Sequence, residues 1–431
     1  MKIIRQIACL LLCLMLAAPA AAEEPAKSTD FAGQLRLNMA SETVKAEVTV
    51  KTFVDGDTTH FNVPSDVSES GVLRARYLAV NTPEITGKVE EYGKKAAAFT
   101  KEKLSGAASI IIESDDGKWN LDSTASRHLV WVWYRPQGAA DYRCLNLELL
   151  QNGLAIANST ARNRYGTTCM AALNQAKAEK LHLYSGQKDP DFYYGEAVEL
   201  TLRELRTNVE AYSGMKVAFN GVVTMNRDQS VYVETCDAET GLYFGMPVYY
   251  GYGMSGAGLD ILAVGNEVRI VGTLQYYEAG GTWQVSGLTY RMMKPNDPGN
   301  IQKLSDGHSA AYVPVTAQTF GSDVVVETAG EDRSFPWAQL ALGTSVSMTG
   351  LTVTDARTTL VEDSSSYGAI TMTCTSGSTN VTVRTEPMYE NGALITQERY
   401  LGKNISIKGV VDFYDGVYQI RVLTPEYITI D

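Results

Sequence analysis

The chain has 431 residues, is 45 % hydrophobic and 20 % charged, and carries a formal net charge of −12. That length suits several cores rather than one. The negative balance excludes a protein that coats nucleic acid through many Lys and Arg contacts, while leaving room for one that grips a few phosphates in a single place.

Residues 1–22 combine Lys2 and Arg5, an apolar run from Ile7 to Ala18, and the small residues Ala20 and Ala22 ahead of Glu23. This is the pattern of a secretory signal peptide cleaved near Ala22. The run is well short of the roughly 20 apolar residues of a bilayer span, and no later segment reaches that length. The mature form is therefore expected to be secreted, extracellular and free of the membrane. Its charge moves from −12 to −14, because Lys2 and Arg5 leave and no acid does. Cys144, Cys169, Cys236 and Cys374 remain in the mature chain. Their wide spacing fits no zinc site, and Cys144 with Cys169 either pair or stay separate buried thiols.

Residues 23–43 are polar and aperiodic, which predicts a flexible tail. Order begins at Val44, where Val44, Ala46, Val48 and Val50 alternate with Lys45, Glu47 and Thr49 as in a half-buried strand. Asp55-Gly56 reads as a hairpin turn. Further strands are expected at residues 72–80, 109–113 and 128–134, with helices at 90–104, 145–155 and 168–184. Tyr92, Ala96 and Phe99 lie at helical spacing, and Gly106 supplies a stop. The sum is a first domain over residues 44–186.

Residues 186–195 (GQKDPDFYYG) read as a linker. Thr201 with Glu204 then forms a capping-box pattern ahead of a short helix. Strands follow at 215–224, 231–234, 267–274 and 282–288, giving a second module over 196–292. Residues 291–312 read as another break, and a third module occupies 320–431. The last two modules resemble each other. VGNEVRIVGTLQYYEAGGTWQVSGL from Val264 aligns with LGKNISIKGVVDFYDGVYQIRVL from Leu401, and MKVAFNGVV from Met215 with TSVSMTGLT from Thr344. Gly221 then matches Gly350, and Gly272 matches Gly409. An internal duplication of a small oligonucleotide-binding-type (OB) barrel explains this pattern. The expected fold class is mainly β with α: an OB-fold barrel with three helices, followed by two smaller OB-like β-barrels.

The chemistry concentrates between Asp57 and Arg127. Taken singly, Asp55-Gly56-Asp57-Thr58 is an ordinary turn and Thr82-Pro83-Glu84 an ordinary strand end. Their combination is more specific. A hard divalent cation needs oxygen ligands, and Asp57 offers a carboxylate, Asn81 an amide oxygen, and Thr82 a carbonyl that Pro83 holds in extended backbone. Glu84 is placed to orient or deprotonate a water. Phosphodiester hydrolysis builds charge on phosphoryl oxygens, which guanidinium groups bind bidentately. Arg76, five residues before Asn81, and Arg127, at the start of another strand, are suited to that task.

From about Val44 to Ser185 the sequence resembles the staphylococcal (micrococcal) nuclease family. The matching motifs are DGDT at Asp55, RARYLAVNTPE at Arg74, GKKAAAFTK at Gly93, SRHLVWVW at Ser126, LNLELLQNGLA at Leu145 and NQAKAEKLHLYS at Asn174. The resemblance implies an OB barrel in which Asp57, the position of Asn81 and the Thr82 carbonyl bind Ca2+. It also implies that Glu84 serves the attacking water and that Arg76 and Arg127 hold the phosphate. The implied activity is cleavage of DNA and RNA to 3′-phosphate products. Three positions depart from the family: Asn81 replaces its aspartate, Ser123-Thr124-Ala125-Ser126 replaces a segment with a basic residue, a tyrosine and a glycine, and Ser159 stands near the place of another, substrate-contacting tyrosine of the family, with Tyr165 close by as a substitute.

The alternative function is a non-catalytic or weakly active extracellular protein that binds nucleic acid or glycan through its barrels. The two C-terminal modules would then hold a cell-surface or polymer ligand. His60, His128, His182 and His308 are too scattered for histidine chemistry. Trp131, Trp133 and Tyr134 alternate along a strand, as core and surface residues do. Tyr249, Tyr250 and Tyr252, in VYYGYGMSGAG, either stack on bases or sugars or belong to a plain loop.

Overall fold

The computed structural model describes residues 28–431 apart from 86–87, 279, 362–363 and 365. The expected signal peptide lies outside the described residues. Among the described residues no helix is long and apolar enough to cross a membrane.

The first barrel is built from β1 (Lys45–Phe53), β2 (Thr58–Asn62), β3 (Val72–Tyr77), β5 (Ala107–Glu113) and β6 (His128–Pro136), with the short β4 (Val80–Asn81) and β7 (Arg143–Cys144) beside them. β1 pairs antiparallel with β2 and β5, and the parallel pair β3–β6 closes the ring. Helices α1 (Phe31–Gln34), α2 (Gly93–Ser105), α3 (Leu145–Gln151) and α4 (Gly166–Ala178) pack around it, and β8 (Ile156–Ala157) pairs with β4. Both faces of β6 are covered, so Trp131, Trp133 and Tyr134 are all buried. Each finds a polar partner: Trp131 Nε1 donates to Asp115, Trp133 Nε1 to Glu113 and the Tyr134 hydroxyl to Glu148.

The second barrel uses β10 (Lys216–Arg227), β11 (Ser230–Cys236), β12 (Tyr243–Tyr249), β13 (Glu267–Tyr277) and β14 (Thr282–Ser286), flanked by β9 (Val198–Glu199) and β15 (Gln302–Ser305). Helix α5 (Leu202–Thr207) opens with the expected capping box of Thr201 and Glu204, and α6 (Ala257–Ile261) follows β12. The third barrel is preceded by β16 (Val313–Pro314), α7 (Ala317–Phe320), the hairpin β17 (Asp323–Thr328) and β18 (Glu331–Pro336), and α8 (Trp337–Leu340). Its wall is β19 (Ser345–Thr358), β20 (Ile370–Ser376), β21 (Thr379–Thr385), β24 (Asn404–Tyr414) and β25 (Val417–Val422). The small hairpin β22 (Tyr389–Glu390) and β23 (Ala393–Leu394) and the edge strand β26 (Ile428–Ile430) complete it.

In every barrel the order round the wall is first, second, third, fifth, fourth strand, and only the third and fifth run parallel. This is the OB arrangement, and the three-barrel expectation is borne out. The duplication is visible in register: Val217 faces Gly272 across β10 and β13, and Val346 faces Gly409 across β19 and β24. A Cβ on Gly272 would meet the Ser286 carbonyl oxygen at 2.6 Å, and one on Gly409 the Arg421 carbonyl oxygen at 2.6 Å. The second matched pair diverges. Gly221 is closed in by Val233 and Glu234, whereas Gly350 has open space and a φ of 66°, beside a break in the β19–β24 register.

Several expectations need correction. From residue 28 the expected tail is docked: Ala32 is buried, and Asp30 pairs with Arg143. The expected linker at 186–195 is pinned by Asp189, which is buried and accepts the Tyr92 N–H at 2.6 Å. Tyr92 itself sits at a φ of 63° and delays the start of α2 to Gly93. The last helix of the first domain stops at Ala178, because Lys180 and His182 take positive φ before a separate turn at His182–Tyr184. The break after residue 291 contributes β15 to the second barrel's sheet, and the β17–β18 hairpin sends Val326 and Phe335 into the second barrel's core. These barrels are also riveted by Glu234, which is buried and accepts the N–H groups of Ser345 at 2.6 Å and Ala311 at 2.9 Å.

Candidate active site

The turn between β1 and β2 buries two carboxylates, Asp55 and Asp57. The Asp57 N–H donates to Asp55 Oδ1 at 3.1 Å, which is a local reason for the turn's shape. Gly56 between them is required by close packing, since a Cβ there would meet Thr82 at 2.8 Å and Ala96 at 2.9 Å. Helix α2 braces the turn from the other side, with Thr100 Oγ1 donating to the Gly56 carbonyl at 2.6 Å. The site is therefore set on the barrel end by a helix.

Asp57 lies completely buried. Its Oδ2 accepts the Thr82 N–H at 2.8 Å and its Oδ1 accepts Arg76 Nη1 and, at 3.1 Å, the Thr58 hydroxyl. Arg76 also reaches forward along the chain, donating Nη2 to Asn81 Oδ1. One guanidinium thus spans the carboxylate and the amide. The Thr82 hydroxyl is buried beside them without a hydrogen-bond partner. Burial, and then the neighbouring Asp55 charge, push the Asp57 carboxyl up to about 8, against the pull of Arg76 and the Thr82 N–H. A second cation would relieve that cost.

Glu84 is half-buried just past Pro83, its N–H donating to Glu90 at 3.2 Å. Burial and Asp55 raise its carboxyl to about 7, while the charges of Arg76 and Arg127 oppose the rise. Both arginines therefore reach Glu84 electrostatically. Arg127 makes its direct contacts elsewhere: Nε and Nη2 both bond Asp122 at 2.7 Å. The structure accordingly gathers Asp57, Arg76, Asn81 and Thr82 into one bonded group, sets Glu84 beside it, and leaves Arg127 at the margin, just ahead of β6, the strand paired with that of Arg76. A cleft of about 440 Å3, lined in part by Asn81, Pro83 and Glu90, opens next to the group.

Among the described residues no three or more His, Cys, Asp or Glu side chains gather as a metal would need. The donors at hand are the Asp57 carboxylate, the Asn81 amide oxygen and Thr82. An all-oxygen set with a desolvated carboxylate and an unpaired hydroxyl fits a hard cation. The sequence pattern marks Asp55 only as a turn former, and the paired acids flanking Gly56 are the signal that it joins the site. Tyr165 does not replace the missing aromatic near Ser159. Its hydroxyl donates to Glu113 at 3.0 Å and its ring packs against Trp131 and Trp133, so it belongs to the core. Among the described residues Cys144, Cys169, Cys236 and Cys374 are all free, and of these only Cys236 is exposed.

Residues 74–186 match the model of the family described as Staphylococcal nuclease homologue. The match begins inside β3, downstream of the Asp55–Asp57 turn, and ends with the last turn of the first domain. The first barrel, with its buried acids, bridging arginine and surrounding helices, is thus a staphylococcal nuclease-like domain, and the chain carries that family's fold at its N-terminal side.

Proposed function

We propose that the chain is a secreted, calcium-dependent nuclease that hydrolyses phosphodiester bonds of DNA and RNA and leaves 3′-phosphates. The observation that carries this reading is the single guanidinium of Arg76 held between Asp57 and Asn81, with Glu84 beside it, inside a nuclease-family barrel. Asp57, Asn81 and Thr82 would hold the cation, which when bound supplies fixed positive charge at the phosphoryl oxygens. Glu84, its carboxyl raised toward neutrality by burial, accepts a proton from the attacking water. Arg76 offers a planar pair of donors to the phosphate, and Arg127, oriented by Asp122, adds a second guanidinium. Water bonds to phosphorus as the bond to the 5′ oxygen breaks. The phosphate then stays on the 3′ side, and the departing oxygen takes up a proton.

A second reading has one observation in its favour. Arg76 already satisfies both Asp57 and Asn81, as in a barrel that has exchanged its cation for an internal ion pair and serves only to bind. Digestion of single-stranded DNA by the mature protein, with calcium or with chelator, separates the two. The nuclease reading expects cleavage that chelator abolishes, and an Asn81→Asp variant that needs less calcium, because a carboxylate restores charge to the cation site. Absence of cleavage in both proteins at millimolar calcium leaves the binding reading.

A further inference from the structure

We propose that Tyr249 and Tyr277 of the second barrel form a platform on which unpaired nucleobases stack beside the candidate active site of the first barrel. The proposal rests on reading that site as one that acts on nucleic acid.

The second barrel is fastened to the helix that braces the site. On α2, Lys101 pairs with Glu278 at 2.8 Å, and the Lys94 ammonium occupies the place that a Cβ on Gly214 would take. The same helix begins at Gly93, where a Cβ would stand 2.6 Å from the Glu84 carbonyl oxygen. One short helix therefore touches both the candidate base and the second barrel. Glu278 directly follows Tyr277, so this ion pair shows that the end of β13 lies beside the first barrel.

Strand alternation turns both phenols away from the second barrel's core. Val248 is buried and Tyr250 packs on that core, which puts Tyr249 on the opposite face of β12. Leu274 is likewise buried, and Tyr277 has the opposite parity on β13. Tyr277 keeps 36 % of its surface exposed, and the nearby Tyr252 keeps 87 %. The electrostatics agree with the placement. After burial, the phenols of Tyr252 and Tyr277 and then the Glu84 charge raise the Tyr249 hydroxyl, while Arg74, two residues before Arg76, works against the burial that raises Tyr277. The two rings thus lie outside the second barrel's core, at the end of β13 that Glu278 ties to α2. The first barrel's nearest candidate ring, Tyr165, is consumed in its core. Aromatic faces at such a mouth bind single strands with little regard to sequence, and stacking suits an acidic protein that has few cations to spread along a phosphate backbone.

The test is fluorescence anisotropy on the full mature chain in chelator. The probes are a labelled oligothymidylate and an abasic deoxyribose-phosphate oligomer of the same length. The wild-type protein should prefer the probe with bases. Tyr277→Ala and Tyr249→Ala should each weaken that probe about tenfold, leave abasic binding where it was, and be rescued by the Phe variants, which keep the ring. Equal affinity of the wild type for both probes overturns the platform, as does a loss in the variants that is equal for the two. Because no cleavage is involved, a catalytically silent protein that still discriminates the probes refutes the nuclease reading while sustaining this one.

Discussion

The first and second barrels share one strand order and put buried carboxylates to opposite uses. In the first, Asp55 and Asp57 crowd together at a strand end with Glu84 nearby, and the charges of Arg76 and Arg127 offset only part of the burial and repulsion that raise the Asp57 and Glu84 carboxyls. In the second, the buried Glu234 is satisfied by N–H and hydroxyl donors from the following segment. The same barrel therefore yields a charged strand end when acids converge and a structural joint when donors converge. Function here resides in what is placed at the strand ends.

The largest break in that comparison should come from Arg76. Arg76→Ala removes the group shared by Asp57 and Asn81, and loss of one pre-organised donor costs about 3 kcal/mol, or on the order of 100-fold in turnover. Arg127→Ala should lose most activity as well, by less than Arg76→Ala, because Arg127 stands outside the bonded group. Both variants should keep wild-type circular dichroism; near-normal turnover in either removes that arginine from the mechanism. The next effect sharpens the kinship of the two C-terminal barrels. Gly272→Ala and Gly409→Ala each drive a methyl group into a carbonyl oxygen and should cost about 1–3 kcal/mol. Gly350→Ala meets open space and pays only for its backbone angle, about 1–2 kcal/mol. Hydrogen exchange, which reports each barrel separately, should show lost amide protection in β13 for the first and in β24 for the second.

The smallest effect concerns the docked N-terminal segment. The hydrogen bond from Arg143 holds the Asp30 carboxyl down from 3.8 to about 2. A depressed folded value stabilises above the unfolded value and is lost as pH falls through the folded one. Asp30→Asn should therefore lower the melting temperature slightly at neutral pH, by an amount worth under about 1 kcal/mol at so exposed a site. The gap to wild type should close toward pH 2. A gap that persists there would assign the effect to packing of α1 instead.

Much of the first domain was legible because its signals are local: alternation in β1, the Asp55-Gly56 turn, Pro83 after Thr82 and the helical spacing through Phe99. The duplication exposed the later barrels, since matched glycines mark places where two strands approach too closely for a side chain. β12 escaped because Gly245 and Pro247 interrupt its pattern, although Pro247 lies in register with Tyr232. β15 was hidden in a stretch rich in Pro, Asn and Asp. At the site, the order Asp57, Arg76, Asn81, Thr82, Glu84 pointed to one place, while the attachment of Arg127 to Asp122 had no signature in spacing. The seating of Tyr165 on two tryptophans and the pairing of Lys101 with Glu278 depend on contacts between distant segments, which no local pattern encodes.

Glu234 also decides how the molecule can be dissected. A boundary drawn between the second and third barrels would strip a buried carboxylate of the Ser345 and Ala311 donors that make its burial tolerable, and would leave the apolar side of Val326 and Phe335 facing water. The two C-terminal barrels therefore form one structural unit. A cut placed ahead of Val198 keeps that unit whole, at the expense of the contacts that Lys94 and Lys101 make with it.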